Sequence, residues 1–179
     1  MWLFIAWLES AIDAARRLGD RRREGGHLDF LGGAYRDLGE VRKAIGYYEQ
    51  ALSICKETGD RRGEGGMLGN LGLAYARLGE VHKAINYHKQ HLEIGDRRGE
   101  STALGNLGSA YSYLGEVHKA IEYYEQGLTI CRETGDRRGE GAVIGNLGNA
   151  NMKLGEARKA IKYYDQRIEI ARETATYSS

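Results

Sequence analysis

One phrase occurs four times between residues 19 and 174, and this repetition constrains the fold more than any other feature of the chain. With local substitutions, each copy reads Gly-Asp-Arg-Arg-x-x-Gly, then Leu-x-x-Leu-Gly-x-x-Tyr, then Leu-Gly-Glu-x-x-Lys-Ala-Ile and a tyrosine-rich run. The aspartates of the phrase are Asp20, Asp60, Asp96 and Asp136, spaced by 40, 36 and 40 residues. Such periods are typical of arrays in which each unit packs on its neighbours. We therefore expect residues 1–179 to form a single repeat array.

Each repeat contains two apolar stripes with helical spacing. In the second repeat these stripes are Leu68, Leu71, Gly72 and Tyr75, and then Val81, Ala84, Ile85, His88 and Leu92. Recurrence at i, i+3, i+4 and i+7 predicts one buried helix face for each stripe. Asp60 is well placed to cap the first helix, and Gly59 can end the preceding helix in the left-handed conformation. The sequence therefore predicts an all-α fold of stacked antiparallel helix pairs.

The aligned phrases also predict the repeat boundaries. Residues 1–18 align with a second helix alone, followed by repeat 1 (19–58), repeat 2 (59–94), repeat 3 (95–134), repeat 4 (135–174) and a tail (175–179). Repeat 2 lacks the four residues that follow Ile54 and Ile130 in repeats 1 and 3. Its second helix should be shorter by about one turn. Because four residues turn a helix through about 400°, we expect the buried stripe to remain in phase.

Two features of the first helices depart from ordinary helix composition. Glycines inside these helices, such as Gly69, Gly72, Gly105 and Gly108, should allow neighbouring backbones to approach closely, which must offset about 1 kcal/mol for each helical glycine. In repeat 4, Asn151 stands where the other repeats have tyrosine. We expect a poor fit of this amide to a buried position and a looser last repeat.

The phrase Leu-x-x-Leu-Gly-x-x-Tyr followed by Ala-x-x-x-Tyr resembles the tetratricopeptide repeat over nearly the whole chain. The long period, the Gly-Asn-Leu-Gly phrases at 69–72, 105–108 and 145–148 and the Gly-Asp joints are similar to Leu-Gly-Asn-repeat adaptors and to long-period bacterial and archaeal signalling proteins. This resemblance implies a right-handed superhelical α-solenoid. It also implies a non-catalytic scaffold that presents a concave groove to a peptide or helix of a protein partner.

The inner face of the first helices corresponds to the ligand groove of that family. The candidate groove residues, which share a stripe with Phe30 and Gly33, are Asp29, Arg36, Asn70, Leu73, Arg77, Asn106, Ser109, Tyr113, Asn146, Asn149, Met152 and Lys153. The recurring asparagines can donate to and accept from an extended peptide backbone. Alternatively, Asn70, Asn106 and Asn146 bridge adjacent repeats, since buried amides generally need partners. The sequence leaves both interpretations open.

Both ends of the array look unfinished. The N-terminal half repeat should leave Trp2, Phe4 and Trp7 partly uncovered, and no polar helix follows to cover Tyr164 and Ile168. Solenoids normally need terminal caps for solubility. We therefore expect either an excerpt of a longer protein or, as the alternative function, a self-assembling structural module that forms a homo-oligomer through these ends.

Composition argues against several other classes of partner. Lys and Arg number 26 against 25 Asp and Glu, so nucleic-acid binding is not favoured. Paired arginines at the joints (Arg21 and Arg22, Arg61 and Arg62, Arg97 and Arg98, Arg137 and Arg138) should form ion pairs with Glu24, Glu64, Glu100 and Glu140 rather than a polyanion site. The apolar N-terminal eight residues are too short to span a membrane.

Catalytic and metal chemistry is also not indicated. His88 and His91 lie three residues apart, but a metal site would need a third ligand, so we expect neither metal nor cofactor. No nucleophile with a base or paired carboxylates appears outside the repeats, so the chain is not expected to be an enzyme. Cys55 and Cys131 occupy equivalent places two repeats apart. We read them as small buried residues of a cytoplasmic protein.

Overall fold

The computed structural model describes residues 1–95 and 97–176, and every regular element within them is an α-helix. The helices are α1 (Trp2–Leu18), α2 (Arg21–Asp37), α3 (Val41–Thr58), α4 (Arg61–Arg77), α5 (Val81–Glu93), α6 (Arg97–Tyr113), α7 (Val117–Thr134), α8 (Arg137–Lys153) and α9 (Ala157–Thr176). Consecutive helices are joined by two or three residues, and those from α1 to α5 and from α6 to α9 pack side by side, as antiparallel hairpins do. The all-α repeat fold predicted from the sequence is confirmed.

The helices form two compact units, Met1–Ile94 and Gly95–Ser179. In unit 1, α2 pairs with α3 and α4 pairs with α5, while α1 packs on α2 and α3 packs on α4. In unit 2, α6 pairs with α7 and α8 pairs with α9, while α7 packs on α8. The boundary between the units falls after the short helix α5 of the second repeat.

The Gly-Asp joints have the geometry that the sequence predicts. Gly19, Gly59 and Gly135 end their helices with φ values of 67°, 69° and 68°, the left-handed region that glycine adopts without strain. Asp60 accepts a hydrogen bond from the backbone N–H of Gly63 at 3.0 Å, and Asp20 and Asp136 make the equivalent caps. The predicted caps are therefore confirmed at these three joints. Asp96 lies outside the described residues.

The invariant glycine of the Leu-Gly pair accommodates a ring from the second helix. A Cβ at Gly72 would lie 2.3 Å from Cε1 of His88, and a Cβ at Gly108 would lie 2.4 Å from Cε1 of Tyr124. The equivalent contacts at Gly32 and Gly148 involve tyrosine rings of α3 and α9. These glycines therefore allow a side chain, and not a neighbouring backbone, to approach the first helix. At Gly105 an added Cβ would meet nothing within 4 Å among the described residues, but a Cβ added at Gly127 of α7 would lie 3.9 Å from the Gly105 backbone nitrogen, so the two helix backbones are close there.

The second helix of repeat 2 is short, as expected from the missing four residues. Helix α5 contains 13 residues, whereas α3 and α7 contain 18 each. Its buried residues Val81, Ala84, Ile85 and His88 keep the stripe in register with the longer helices. The predicted loss of about one turn is therefore confirmed.

Asn151 occupies the tyrosine position without the expected poor fit. Its side chain is 4% exposed, and its amide nitrogen donates to the carbonyl oxygen of Leu147 at 2.7 Å. The expectation of a poor fit was wrong because the amide finds a partner one turn back in its own helix. Repeats 1 to 3 instead stack two tyrosines at this place, with ring centroids 5.3 Å apart. The looser last repeat stays a prediction.

Candidate functional site

Unit 1 contains a cavity of about 330 Å³ beside α2. Three of the predicted groove residues, Asp29, Arg36 and Asn70, lie in its wall. The remaining wall is formed by Met1, Phe4, Phe30, Gly33, Ala34, Asp37 and Tyr48. The cavity wall therefore combines the predicted first-helix residues with Phe4 of α1 and Tyr48 of α3, which the sequence analysis did not predict for the groove.

Asn70 bridges two repeats in this cavity. Its amide nitrogen donates to Oδ1 of Asp29 at 3.0 Å, across 41 residues of sequence. Burial raises the pKa of the Asp29 carboxyl, and the Asn70 hydrogen bond and the charge of Arg36 oppose that rise. Asn70 therefore bridges adjacent repeats, and its contact with a peptide stays a prediction.

The other predicted residues of unit 1 differ in their availability. Arg36 forms an ion pair with Asp37 at 2.9 Å, and Arg77 donates to the backbone oxygen of Arg36 at 3.4 Å. Leu73 is exposed. Arg77 therefore joins neighbouring first helices, whereas Leu73 remains a surface contact point.

The Tyr48 hydroxyl is a feature that the sequence reasoning missed. In unit 2 the equivalent hydroxyls have partners: Tyr124 donates to Oγ of Ser109 at 3.2 Å, and Tyr164 donates to Oδ1 of Asn149 at 2.9 Å. Each partner lies 15 residues earlier in the sequence. For Tyr48 that position is Gly33, and its buried hydroxyl has no hydrogen-bond partner within residues 1–95 and 97–176. Comparing repeat positions 15 residues apart would have revealed the missing partner.

Unit 2 contains a second cavity, of about 230 Å³, against α6 and α8. The predicted residues Asn106, Ser109 and Asn146 line it together with Ser101, Thr102, Gly105, Cys131, Asp136, Gly139, Ala142 and Val143. In the described part of the chain, the side-chain amides of Asn106 and Asn146 make no hydrogen bond. Glycine at position 105 stands where repeat 1 has Asp29, so Asn146 lacks the carboxylate that engages Asn70.

The remaining predicted residues of unit 2 are divided between structural and exposed roles. Lys153 donates to both the backbone oxygen and the hydroxyl of Ser112, at 3.0 and 2.8 Å, and Asn149 accepts from Tyr164. Ser109 accepts from Tyr124 while donating to the Gly105 carbonyl. Tyr113 and Met152 are exposed. Their side chains provide exposed apolar surface on the first helices α6 and α8.

The residues predicted for self-association are exposed mainly on α1. Trp2 and Trp7 are 68% and 58% exposed, and the ring of Phe4 stacks on that of Trp7 with centroids 6.1 Å apart. Ile168 is also exposed. Tyr164 is partly buried, since its ring packs against Gly148 and its hydroxyl is bonded to Asn149.

At each joint, the first arginine of the pair forms the expected ion pair, and the side chain of Arg98 lies outside the described residues. Arg61 and Arg97 contact Glu64 and Glu100 at 3.0 and 3.1 Å, and the remaining repeats pair Arg21 with Glu24 and Arg137 with Glu140 at 2.5 and 2.6 Å. The buried Glu140 also accepts from Arg132 at 2.9 Å. Burial would raise the pKa of Glu140, but the hydrogen bonds from the two arginines lower it overall.

His88 is 1% exposed, and its imidazole lies against Gly72. Burial, with a smaller contribution from the neighbouring charge of His91, lowers the pKa of His88 from 6.5 to about 4. The described residues contain no group of three or more His, Cys, Asp or Glu side chains arranged to hold a metal ion. Within the same residues, no helix has the length and apolarity needed to cross a membrane.

Hairpins of helices with repeated caps, glycine-ring contacts and polar cavities define a helical-repeat protein of the protein-interaction type. The tetratricopeptide-repeat family model matches residues 26–97 and 99–173. The chain therefore belongs to the tetratricopeptide-repeat family. The comparison with curated proteins finds no match to this chain.

Solved structures share the fold at low sequence identity. BtubC (BKLC) from P. vanneervenii is 22% identical with a TM-score of 0.75, over 96% of this chain and 91% of that one. The MamA protein is 23% identical with a TM-score of 0.66, over 100% and 98% of the two chains. Aspartyl phosphate phosphatase F from Bacillus subtilis is 15% identical with a TM-score of 0.88, over 96% of this chain and 46% of that one.

Proposed function

We propose that the chain is a non-catalytic, cytoplasmic scaffold whose first-helix faces bind an extended peptide or a helix of a partner protein. The observation that carries this proposal is the unit 2 cavity with the amides of Asn106 and Asn146 in its wall. Protein interaction in general is typical of this repeat family. The balanced charge and the cysteines at two structural positions support a cytoplasmic protein.

The chemistry of this cavity suits a peptide backbone. A primary amide offers both a donor and an acceptor, which is the complement of a peptide group. Gly105, where an added Cβ would meet nothing within 4 Å among the described residues, and Ala142 keep the surrounding wall low, so a ligand backbone can approach the two asparagines closely. Exposed Tyr113 and Met152 supply apolar surface for side chains of the ligand.

A displayed library of random peptides, selected against the full chain, would test this proposal. Peptides that bind are measured by calorimetry against the wild type and against the double variant Asn106→Ala plus Asn146→Ala. Loss of two amide contacts at about 1 kcal/mol each weakens binding by about thirtyfold. The matched control is Asn86→Ala, which removes an exposed amide of α5 and should leave binding unchanged.

The oligomer size of the double variant, measured by light scattering, should equal that of the wild type. If the wild type and the double variant bind the peptides with equal affinity, these asparagines are not part of the binding face. A failure to select any peptide would count against the groove altogether.

Self-association is the second candidate function, and the exposed aromatic face of α1 supports it. Trp2, Phe4 and Trp7 are exposed on α1, and the rings of Phe4 and Trp7 stack. Sedimentation of the wild type over a range of concentrations should show association, and Trp2→Ser plus Trp7→Ser should abolish it. A strict monomer at high concentration would exclude this candidate.

A further inference from the structure

The unit 1 cavity carries a negative charge that the protein does not neutralise. The Asp29 carboxylate is half-buried and accepts a hydrogen bond from the neutral amide of Asn70. Among the described residues, no Lys, Arg or His nitrogen lies within 4.0 Å of it. Arg36 acts on Asp29 at longer range and is itself paired with Asp37. A cationic ligand group would therefore meet an uncompensated carboxylate.

The Tyr48 hydroxyl is a second, independent sign of a ligand. The Tyr48 side chain is 0% exposed and lines the cavity, and its hydroxyl has no hydrogen-bond partner in the part of the chain that the structure describes. Buried polar groups in native proteins almost always have a partner. Gly33 leaves open the position from which Ser109 satisfies the equivalent hydroxyl in repeat 3. Gly33 itself lines the cavity, so a ligand group that fills this position would lie next to the Tyr48 hydroxyl, which solvent barely reaches in this structure.

The apolar wall of the cavity suits a planar cation on an aliphatic stem. Phe30 is 61% exposed, and Phe4 of α1 lines the same cavity. Guanidinium groups stack on aromatic faces, and their methylene stems pack against apolar surface. The cavity, of about 330 Å³, is large enough for a guanidinium and part of its stem.

We propose that the unit 1 cavity is a subsite for an arginine side chain of a peptide ligand. The guanidinium donates to Oδ2 of Asp29, which the Asn70 bond leaves available, and to the Tyr48 hydroxyl oxygen. Its stem lies against Phe4 and Phe30. Five N–H groups in one plane allow both contacts at once. An acidic side chain is disfavoured by Asp29. This assignment rests on the proposed peptide-binding function.

The test is a titration of the full chain with N-acetyl-arginine-N-methylamide, followed by NMR. The reporter signals are the side-chain amide of Asn70 and the backbone amide of Gly33. We expect saturable shifts at these two residues. The neutral isostere N-acetyl-citrulline-N-methylamide should bind about fivefold more weakly, because it lacks the charge that Asp29 attracts. Equal binding of the two probes would overturn the assignment.

Three variants separate the roles of the residues. Asp29→Asn should remove the preference for arginine over citrulline, whereas the control Asp13→Asn changes an exposed carboxylate of α1 and should retain it. Gly33→Ser, which offers Tyr48 an internal partner, should weaken arginine binding. Circular dichroism confirms that each variant is folded. An unchanged arginine preference in folded Asp29→Asn would refute the subsite.

Failure of the subsite can be distinguished from failure of the proposed function. The double variant Asn106→Ala plus Asn146→Ala alters unit 2 and should leave the arginine titration unchanged. If library peptides bind and depend on these asparagines, but the arginine probe gives no saturable shifts at Asn70 and Gly33, the peptide-binding function stands and the subsite is wrong. If no library peptide binds, the proposed peptide-binding function is wrong, whatever the arginine titration shows.

Discussion

A serine at position 33 should stabilise unit 1 by giving the Tyr48 hydroxyl a partner. Gly33 lies inside α2, and a Cβ added there would be 4.0 Å from the Tyr48 hydroxyl oxygen. In repeat 3 the same pair of positions holds Ser109 and Tyr124, bonded at 3.2 Å. Ser109 also donates to the carbonyl four residues earlier, so it accepts from the tyrosine. The Gly33→Ser change copies this arrangement into repeat 1.

The expected gain has two parts. Serine is better than glycine in a helix interior by about 0.5 kcal/mol. A hydrogen bond to a buried hydroxyl adds about 1 kcal/mol. Gly33→Ser should therefore raise the free energy of unfolding of unit 1 by about 1.5 kcal/mol. The matched control is Gly26→Ser in the same helix, where an added Cβ meets no atom within 4 Å among the described residues and only the propensity gain of about 0.5 kcal/mol remains.

The assay is urea unfolding followed by tryptophan fluorescence. Both tryptophans of the chain, Trp2 and Trp7, lie in α1 and therefore report on unit 1. Circular dichroism follows the whole chain in parallel, because repeat arrays can unfold in more than one step. A shift of the fluorescence midpoint at constant m-value reports a change in stability.

A double-mutant cycle with Tyr48→Phe isolates the hydrogen bond. In the wild type, Tyr48→Phe removes a buried hydroxyl without breaking a bond, so it should be neutral or stabilising. In the Gly33→Ser background the same change should cost about 1 kcal/mol. If Gly33→Ser is no more stable than Gly26→Ser, or the coupling energy is zero, then the introduced serine does not form the expected hydrogen bond with the Tyr48 hydroxyl, which refutes the prediction.

Three further predictions use the same unfolding measurements. Gly72→Ala should destabilise unit 1 by about 2 kcal/mol, because the new methyl would meet the His88 ring at 2.3 Å, whereas Gly66→Ala in open space should stabilise it. The fold lowers the pKa of His88 from 6.5 to about 4. The His88 contribution to the free energy of unfolding should therefore be fully present above pH 6.5 and be lost as the pH falls toward 4, by about 3 kcal/mol. His88→Phe should remove most of that loss. Glu140→Gln should lower the free energy of unfolding by about 2 kcal/mol near neutral pH. Because the flanking arginines lower the Glu140 pKa, this loss should shrink below pH 4.5. An equal loss at all pH values would contradict this prediction.

The sequence predicted the fold well where the interaction that matters joins residues within one or two helical turns of each other. The Gly-Asp joint depends on Gly59 and on Asp60 capping Gly63, all within five consecutive residues. Apolar periodicity identified the buried faces of the helices, and the short α5 followed from a simple alignment of repeats. Asn151 was misjudged because a hydrogen bond to its own helix satisfies an amide at a position that a tyrosine usually fills.

The candidate sites depend instead on pairs of positions in neighbouring helices, and single positions do not reveal them. Asn70 and Asn146 are the same residue at equivalent places, yet Asp29 engages the first while Gly105 leaves the second available. Tyr48 and Tyr124 differ in the same way through Gly33 and Ser109. In each case a small residue replaces a polar partner and a cavity lies beside the polar group that remains. Because repetition supplies the satisfied version of each pair, the unsatisfied copies identify where this chain differs from a purely structural array, and the proposed binding sites lie at these places.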